Sequence, residues 1–98
     1  MDPGTRDPVP FLAALADPTR LRLIQMLAHQ PAERALCVNA LAARLGVSQP
    51  AVSQHLRVLR NLGLVRPERR GARVHYLLDR ERFAAWRRLL TEALDLDA

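Results

Sequence analysis

The chain has 98 residues, a formal net charge of +5 and one cysteine. This length suits one small domain, whose modest core would benefit from contact with a second subunit. A single cysteine excludes an internal disulfide and a zinc site built from Cys-x-x-Cys pairs. No apolar run is long enough to span a bilayer and no secretory signal is recognisable, so we expect a soluble cytoplasmic protein without membrane contact.

The positive charge is concentrated in the middle of the chain. Residues 48–78 contain six Arg and one Glu, whereas the flanking segments are close to neutral. A basic segment is typical of nucleic-acid binding when it overlaps a recognition helix, and is otherwise an ordinary solvated face. All basic residues are Arg, which favours bidentate contacts with phosphate and guanine, although genome base composition could produce the same usage.

The first elements are predicted to be helical. Residues 1–9 are rich in proline and are predicted to be a flexible lead-in, so the domain is expected to span residues 10–98. A short first helix follows. Asp17 and Pro18 are typical of the start of a second helix, which is predicted to end near His29. The predicted buried stripe of this second helix consists of Leu21, Ile24, Leu27 and Ala28.

The next two helices have the spacing of a helix-turn-helix. Residues 35–37 are too few to judge by pattern, although a small apolar strand would fit. An alanine-rich helix is predicted over about 38–45 and ends at Gly46, which suits a left-handed C′ residue. Ser48 is the predicted N-cap of the following helix, with Pro50 in its first turn. Two helices joined by a short turn that contains Gly are typical of DNA-binding proteins.

The helix after Ser48 has one apolar face and one face of amides, hydroxyls and guanidinium groups. Such groups contact base edges and phosphates in a major groove. Near the front of the helix, Gln49, Ser53 and Gln54 are predicted to read bases, because a recognition helix enters the groove by its N-terminus. Contacts near phosphates are predicted for Arg57, Arg60 and Asn61. Ser48 could also contact DNA, although capping is its favoured role.

Two short strands are predicted over residues 64–66 and 73–78, around a basic segment at 67–72. Pro67 confines its strand to a sheet edge or a bulge. We interpret the hairpin as a wing. Its predicted contacts with the DNA backbone or minor groove are Arg69, Arg70 and Arg73.

A last helix, capped by Asp79, is predicted to run to about Leu96 and to carry a broad apolar stripe. The stripe is more apolar surface than one small domain easily covers, so we expect it to pack with the first helix against a partner subunit. The alternative is that it folds back onto its own core. The predicted dimer interface consists of Phe11, Leu12, Leu15, Phe83, Trp86, Leu89, Leu90 and Leu94. The predicted fold class is α+β, mostly α: a homodimeric winged helix-turn-helix with about five helices and a two-stranded wing.

Four segments together resemble the ArsR/SmtB family of bacterial winged-helix repressors in order and spacing. They are LADPTRLRLIQML (15–27), LCV (36–38), LGVSQPAVSQHLRVLRNLGLV (45–65) and RRGARVHYLL (69–78). The resemblance covers about residues 11–94. It implies a homodimer that is joined by its first and last helices and binds an imperfect inverted repeat in an operator. It also implies release when a ligand or chemical signal alters the dimer.

The metal sites familiar in this family are incomplete here. Family members that sense arsenic or cadmium have Cys-Val-Cys at the start of the third helix. At the similar position this chain has Cys37-Val38-Asn39, and Asn39 is a poor ligand for a soft metal. Zinc- and nickel-type members use histidines on the last helix, but no histidine follows His75. We therefore expect no cofactor; a metal is possible but is not supported by the spacing of the ligands, and the inducer is unknown.

Cys37 is the one residue whose side chain is a candidate for reactivity, because a thiol near a helix N-terminus can have a depressed pKa and be oxidised or alkylated. The alternative is an inert buried cysteine. His55 lies at the inner edge of its helix and is interpreted as a structural histidine.

The sequence predicts a sequence-specific DNA-binding repressor that binds an inverted repeat as a homodimer. A metal- or redox-responsive sensor that uses Cys37 is the alternative, and a protein-interaction module with a degenerate DNA face stays open. An enzyme is disfavoured, since the chain has no paired carboxylates in an apolar setting, no nucleophile with a base and no glycine-rich phosphate loop.

Overall fold

The protein is described by a computed structural model, which covers residues 7–31 and 34–95. These residues form five helices and three strands in a winged helix-turn-helix arrangement, as the sequence predicts. The helices are α1 (Val9–Leu15), α2 (Pro18–His29), α3 (Val38–Leu45), α4 (Gln49–Asn61) and α5 (Arg80–Leu94). The strands are β1 (Leu36–Cys37), β2 (Val65–Arg70) and β3 (Arg73–Leu78).

Helices α2, α4 and α5 begin where short polar side chains satisfy one of their first backbone N–H groups. Oδ1 of Asp17 accepts a hydrogen bond from the N–H of Arg20 at 2.9 Å, and Oδ1 of Asp79 accepts one from the N–H of Arg82 at 3.0 Å. The caps predicted at Asp17 and Asp79 are therefore confirmed. The last helix ends at Leu94 instead of Leu96, and position 96 lies outside the described residues.

The predicted lead-in, residues 1–9, extends one residue too far. Helix α1 already begins at Val9, whose N–H donates to Oδ1 of Asp7 at 3.0 Å. Residues 1–6 of the lead-in lie outside the described residues.

The three strands form one antiparallel sheet in the order β1-β3-β2. Leu36 of β1 lies opposite Tyr76 of β3, so the small strand left open by the sequence is present. Pro67 lies in the edge strand β2, where a residue without an N–H is tolerated. The predicted end of this strand at residue 66 is wrong, because β2 continues through Pro67 to Arg70 and takes up most of the basic segment at 67–72.

The hairpin turn between β2 and β3 consists of only two residues, Gly71 and Ala72. Gly71 has a φ of +64°, a conformation that glycine adopts at little cost. A positive φ at the first central residue is typical of the two-residue type II′ turn. The wing is therefore a regular ladder almost to its tip.

One hydrophobic core is shared by all five helices and the sheet. The ring of Phe11 on α1 stacks on Trp86 of α5 at a centroid distance of 5.8 Å and meets the edge of Phe83 at 5.4 Å. The stripe predicted on α2 is wrong at Leu21, which is 43% exposed, whereas Leu23 is fully buried. Positions 23, 24 and 27 share the inward face of α2, and position 21 points away from it.

The apolar stripe of α5 packs partly onto the chain's own core. The sequence analysis considered this arrangement as the alternative to packing against a partner subunit. Phe11, Trp86 and Leu89 are buried within a single chain, so these three members of the predicted dimer interface offer no surface to a partner. Leu12 and Leu94 are exposed. The remaining members, Leu15, Phe83 and Leu90, are half-buried. In the described part of the chain, no helix combines the length and the apolar character needed to cross a membrane.

Candidate nucleic-acid interface

Helices α3 and α4 are joined by a three-residue turn that begins at Gly46. The φ of Gly46 is +69°, and its N–H donates to the carbonyl oxygen of Ala42 at 2.9 Å. The next N–H, from Val47, donates to the same oxygen at 3.2 Å, so a single carbonyl closes the helix. A Cβ atom at Gly46 would meet nothing within 4 Å, which means that glycine is needed for its backbone conformation alone.

The rotation of α4 about its axis is fixed by its buried side. Val52, Leu56 and Leu59 are buried against the core. Their burial directs the opposite side of the helix to solvent. The exposed residues there, which we call the polar face of α4, are Gln49, Ser53, Gln54, Arg57, Arg60 and Asn61. The structure thus places all six predicted residues on one accessible face, and their individual roles stay predictions.

Ser48 is an N-cap, as the sequence favoured. Its Oγ accepts a hydrogen bond from the N–H of Ala51 at 3.2 Å, one of the donors that the first turn of α4 leaves unpaired. Ser48 is also exposed next to Gln49, so capping and contact with DNA are compatible.

The arginines of the wing are not equivalent. Arg69 and Arg73 are exposed on either side of the turn. Nε of Arg70 lies 3.0 Å from Oε1 of Glu68, and Arg66 lies 3.9 Å from the same carboxylate, so part of the positive charge is paired within β2. Arg70 therefore lies within β2 and pairs with Glu68, whereas the sequence analysis placed it in the basic segment between the two strands.

Cys37 lies at the end of β1, in the N-cap position of α3, and is half-buried. The backbone N–H of Ala40 in the first turn of α3 and the guanidinium of Arg73 lower the pKa of the thiol below its ordinary value. Nη1 of Arg73 donates to Sγ at 3.8 Å. An open cleft of about 270 Å³ lies against both side chains. A predicted sensor residue thus touches a predicted DNA contact.

Within residues 7–31 and 34–95, His, Cys, Asp and Glu side chains do not gather in any group of three or more that could hold a metal ion. The prediction of a chain without a cofactor stays a prediction.

One contact near the interface was missed by the sequence analysis. Nη1 of Arg20 on α2 lies 3.3 Å from Nδ1 of His55 on α4. The half-buried position of His55 agrees with its interpretation as a structural histidine. No sequence signal could identify its partner, since the two residues are 35 positions apart and each has an ordinary local role in its own helix.

Comparison with known proteins gives the same fold and the same class of protein. The profile of the family described as "Bacterial regulatory protein, arsR family" matches residues 17–66. A transcriptional repressor SmtB homolog of Synechocystis sp. is 52% identical over 68 residues, which are 69% of this chain and 48% of the relative. An HTH-type transcriptional regulator of Mycobacterium tuberculosis is 46% identical over 82 residues, which are 84% of this chain and 73% of the relative.

The chain spans about half the length of several of the curated relatives that it matches. Among solved structures, a possible transcriptional regulator for arsenical resistance is similar with a TM-score of 0.71 and 41% identity, over 84% of this chain and 81% of that one. A homodimeric winged helix-turn-helix DNA-binding domain from Mycobacterium bovis has a TM-score of 0.66 and 27% identity, over 91% and 77% of the two chains.

The family profile covers half of the chain, and the relative from M. tuberculosis matches along most of its own length. The matched proteins are transcriptional regulators and not enzymes. This chain therefore belongs to the ArsR family of bacterial regulatory proteins.

Proposed function

We propose that this protein is a sequence-specific transcriptional repressor that binds an inverted-repeat operator as a homodimer. The observation that carries the proposal is the polar face of α4, which is exposed along the whole helix and lies opposite a fully apolar buried side. A helix of this kind, held by a preceding helix and a short turn, fits the major groove of B-DNA. Such a protein would act in the cytoplasm, where the bacterial chromosome lies.

The two ends of the polar face suit different contacts. Gln49 and Gln54 present amides that can pair with two atoms of an adenine, while Ser53 offers a hydroxyl to either kind of base pair. Arg57 and Arg60, further along the helix, carry charge that suits phosphates. Arg69 and Arg73 place more positive charge on the wing. The partner would therefore be double-stranded DNA, bound with a steep dependence on salt.

A dimer would place two such helices on one duplex. The exposed side chains Leu12 and Leu94, with the half-buried Leu15, Phe83 and Leu90, form the apolar surface that remains on α1 and α5. A surface of this kind is costly to leave in water. The similar domain from M. bovis is described as homodimeric. Two recognition helices about one turn of DNA apart, or roughly 34 Å, would match a palindromic site.

Binding to DNA from the protein's own upstream region, compared with a random duplex, tests the roles of the side chains. Arg57→Ala should weaken binding to both duplexes to a similar extent, because phosphate contacts are independent of sequence. Gln54→Ala should lower the preference for the operator by about 1–3 kcal/mol. Arg22→Ala, which removes an exposed arginine of α2, is the matched control. A Gln54→Ala variant that lost affinity for both duplexes equally, as Arg57→Ala should, would reject the assignment.

A second candidate is a repressor whose DNA affinity responds to the state of Cys37. The contact between Cys37 and Arg73 favours it, because a change at the thiol would reach an arginine of the wing. With hydrogen peroxide as oxidant, the thiolate would take one oxygen atom to give a sulfenic acid, and hydroxide would leave. Soft metal ions would compete for the same thiolate.

Titration of operator binding with peroxide, Zn(II) or As(III) separates the two candidates. If a treatment releases wild-type protein but not Cys37→Ser, the thiol is a sensor. If wild type and Cys37→Ser both ignore every treatment, the sensor form of the proposal fails and the plain repressor remains.

A further inference from the structure

We propose that Arg20 and His55 are positioning residues for DNA binding, which hold the recognition helix α4 in place relative to the end of α1. Neither belongs to the polar face of α4. The inference rests on the proposed function, since the property that it explains is the affinity of α4 for DNA.

The guanidinium of Arg20 contacts two helices at once. Its Nε donates to the carbonyl oxygen of Ala14 at 2.7 Å, and its Nη2 donates to that of Ala13 at 3.3 Å. Both oxygens lie in the last turn of α1, and that of Ala13 also accepts from the N–H of the C-cap residue Ala16 at 3.4 Å. Nη1 of the same guanidinium lies 3.3 Å from Nδ1 of His55 on α4. The planar fork of arginine can satisfy all three positions together, which a lysine ammonium cannot.

The base of this bridge is fixed by the start of α2. The backbone N–H of Arg20 donates to Oδ1 of Asp17, which is the N-cap of the helix. The backbone from which the Arg20 side chain extends is therefore held by the cap of α2, and its guanidinium is held by α1 and α4.

Apolar packing between α1 and α4 is incomplete at this place. An open cleft of about 500 Å³ lies between Pro10 of α1 and Val58 and Leu62 of the α4 end, and Arg20 forms part of its wall. The guanidinium of Arg20 spans one side of this cleft and so joins α1 to α4 where the two helices leave open space between them.

The bridge depends on the protonation state of His55. Nδ1 can accept from the guanidinium only in the neutral ring with its proton on Nε2. A protonated ring would present an N–H and a positive charge to Arg20, and the contact would become repulsive. Asp17 is the acidic group that faces the pair, and the positions one turn away on α4 are the apolar Ala51, Val52, Val58 and Leu59. Asp17 would offset the repulsion only in part, because it is already paired with Arg20.

The closing experiment measures operator affinity for wild type, Arg20→Lys, His55→Leu and the double variant, with thermal unfolding to show that each is folded. Each single variant should weaken binding roughly tenfold, and the double variant should add little, because both changes break the same bridge. Losses that simply multiply in the double variant would overturn the proposal. Failure of wild type itself to prefer the operator would instead reject the proposed function.

Rescue by a conservative variant supplies a readout that a merely structural role would not change. His55→Gln keeps a hydrogen-bond acceptor for Arg20, so it should retain more of the wild-type affinity for the operator than His55→Leu does. His29→Gln is the matched control, since His29 bonds to Gln25 of its own helix, and it should bind like wild type. Equal losses of affinity for His55→Gln and His55→Leu would contradict the proposal. The tautomer of His55, measured by 15N NMR without DNA, tests the bridge itself: a proton on Nδ1 of the neutral ring would overturn it.

Discussion

The indole Nε1 of Trp86 donates a hydrogen bond of 2.9 Å to the carbonyl oxygen of Leu62, the C-cap residue of α4. The bond connects the two helices that carry the proposed functions. Trp86 lies on α5, which carries part of the proposed dimer surface, and Leu62 lies at the end of the recognition helix α4. The bond is buried, so its loss would leave a carbonyl oxygen without water or partner.

Trp86→Phe should lower the free energy of unfolding by about 1–3 kcal/mol, since most of the aromatic packing is kept while the buried carbonyl loses its donor. Chemical denaturation followed by circular dichroism at one fixed protein concentration measures the change. Phe83→Leu, which removes only an edge contact with Phe11, is the comparison. A Trp86→Phe variant as stable as wild type would show that the bond contributes nothing.

Acid should destabilise the protein partly through Asp17. The backbone N–H of Arg20 lowers the pKa of this carboxyl below its ordinary value, and the charges of Arg20 and His55 lower it further. A depressed pKa in the folded state stabilises the protein above the pKa of the unfolded chain, and this stabilisation is lost as the pH falls through the folded value. The expected window therefore lies below about pH 4.

The matched variant for this prediction is Asp17→Asn, which keeps an oxygen that can cap α2 but does not titrate. The stability difference between wild type and Asp17→Asn should shrink as the pH falls from about 5 to about 2. A constant difference across that range would show that the charge of Asp17 is irrelevant.

Cys37 should react with iodoacetamide at lower pH than an ordinary thiol, because the N–H of Ala40 and the charge of Arg73 favour the thiolate. Arg73→Gln should move the midpoint of the rate profile upward while leaving the effect of Ala40 in place. The alkylation rate between pH 6 and 10 is the measurement, with Arg69→Gln as a control on the opposite strand of the wing. Identical midpoints in all three proteins would exclude an influence of Arg73.

Gly46→Ala should destabilise the fold by about 1 kcal/mol through its left-handed backbone conformation, since the added methyl group meets no neighbour. Gly46→Asn should cost less, because asparagine tolerates this conformation better than alanine. Thermal unfolding of the two variants checks the order. If Asn were as costly as Ala, steric contact and not backbone conformation would be the cause.

Local signals account for what the sequence could predict. The caps at Asp17, Ser48 and Asp79 and the end of α3 at Gly46 depend on a few neighbouring residues, so helix starts and the helix-turn-helix are readable from spacing alone. The polar face of α4 follows from the helical period once its apolar side is identified.

Contacts between distant parts of the chain could not be predicted in the same way. Whether Trp86 and Phe11 are buried in the chain's own core or in contact with a partner depends on how α1 packs on α5. The periodicity of the sequence contains no information about this packing. The length of β2 depends on pairing with β3, which carries the strand through Pro67. The bridge from Arg20 to His55 requires the packed arrangement of three helices.

The central claim is that α4 reads a specific DNA sequence, and a binding titration of the wild-type protein tests it most directly. The duplex from its own upstream region is compared with a scrambled duplex of the same length and composition, at several salt concentrations. The account predicts that the upstream duplex binds at least about a thousandfold more tightly, and that affinity for both falls steeply with salt. Equal affinity for the two duplexes, or no complex with either at low salt, would contradict it.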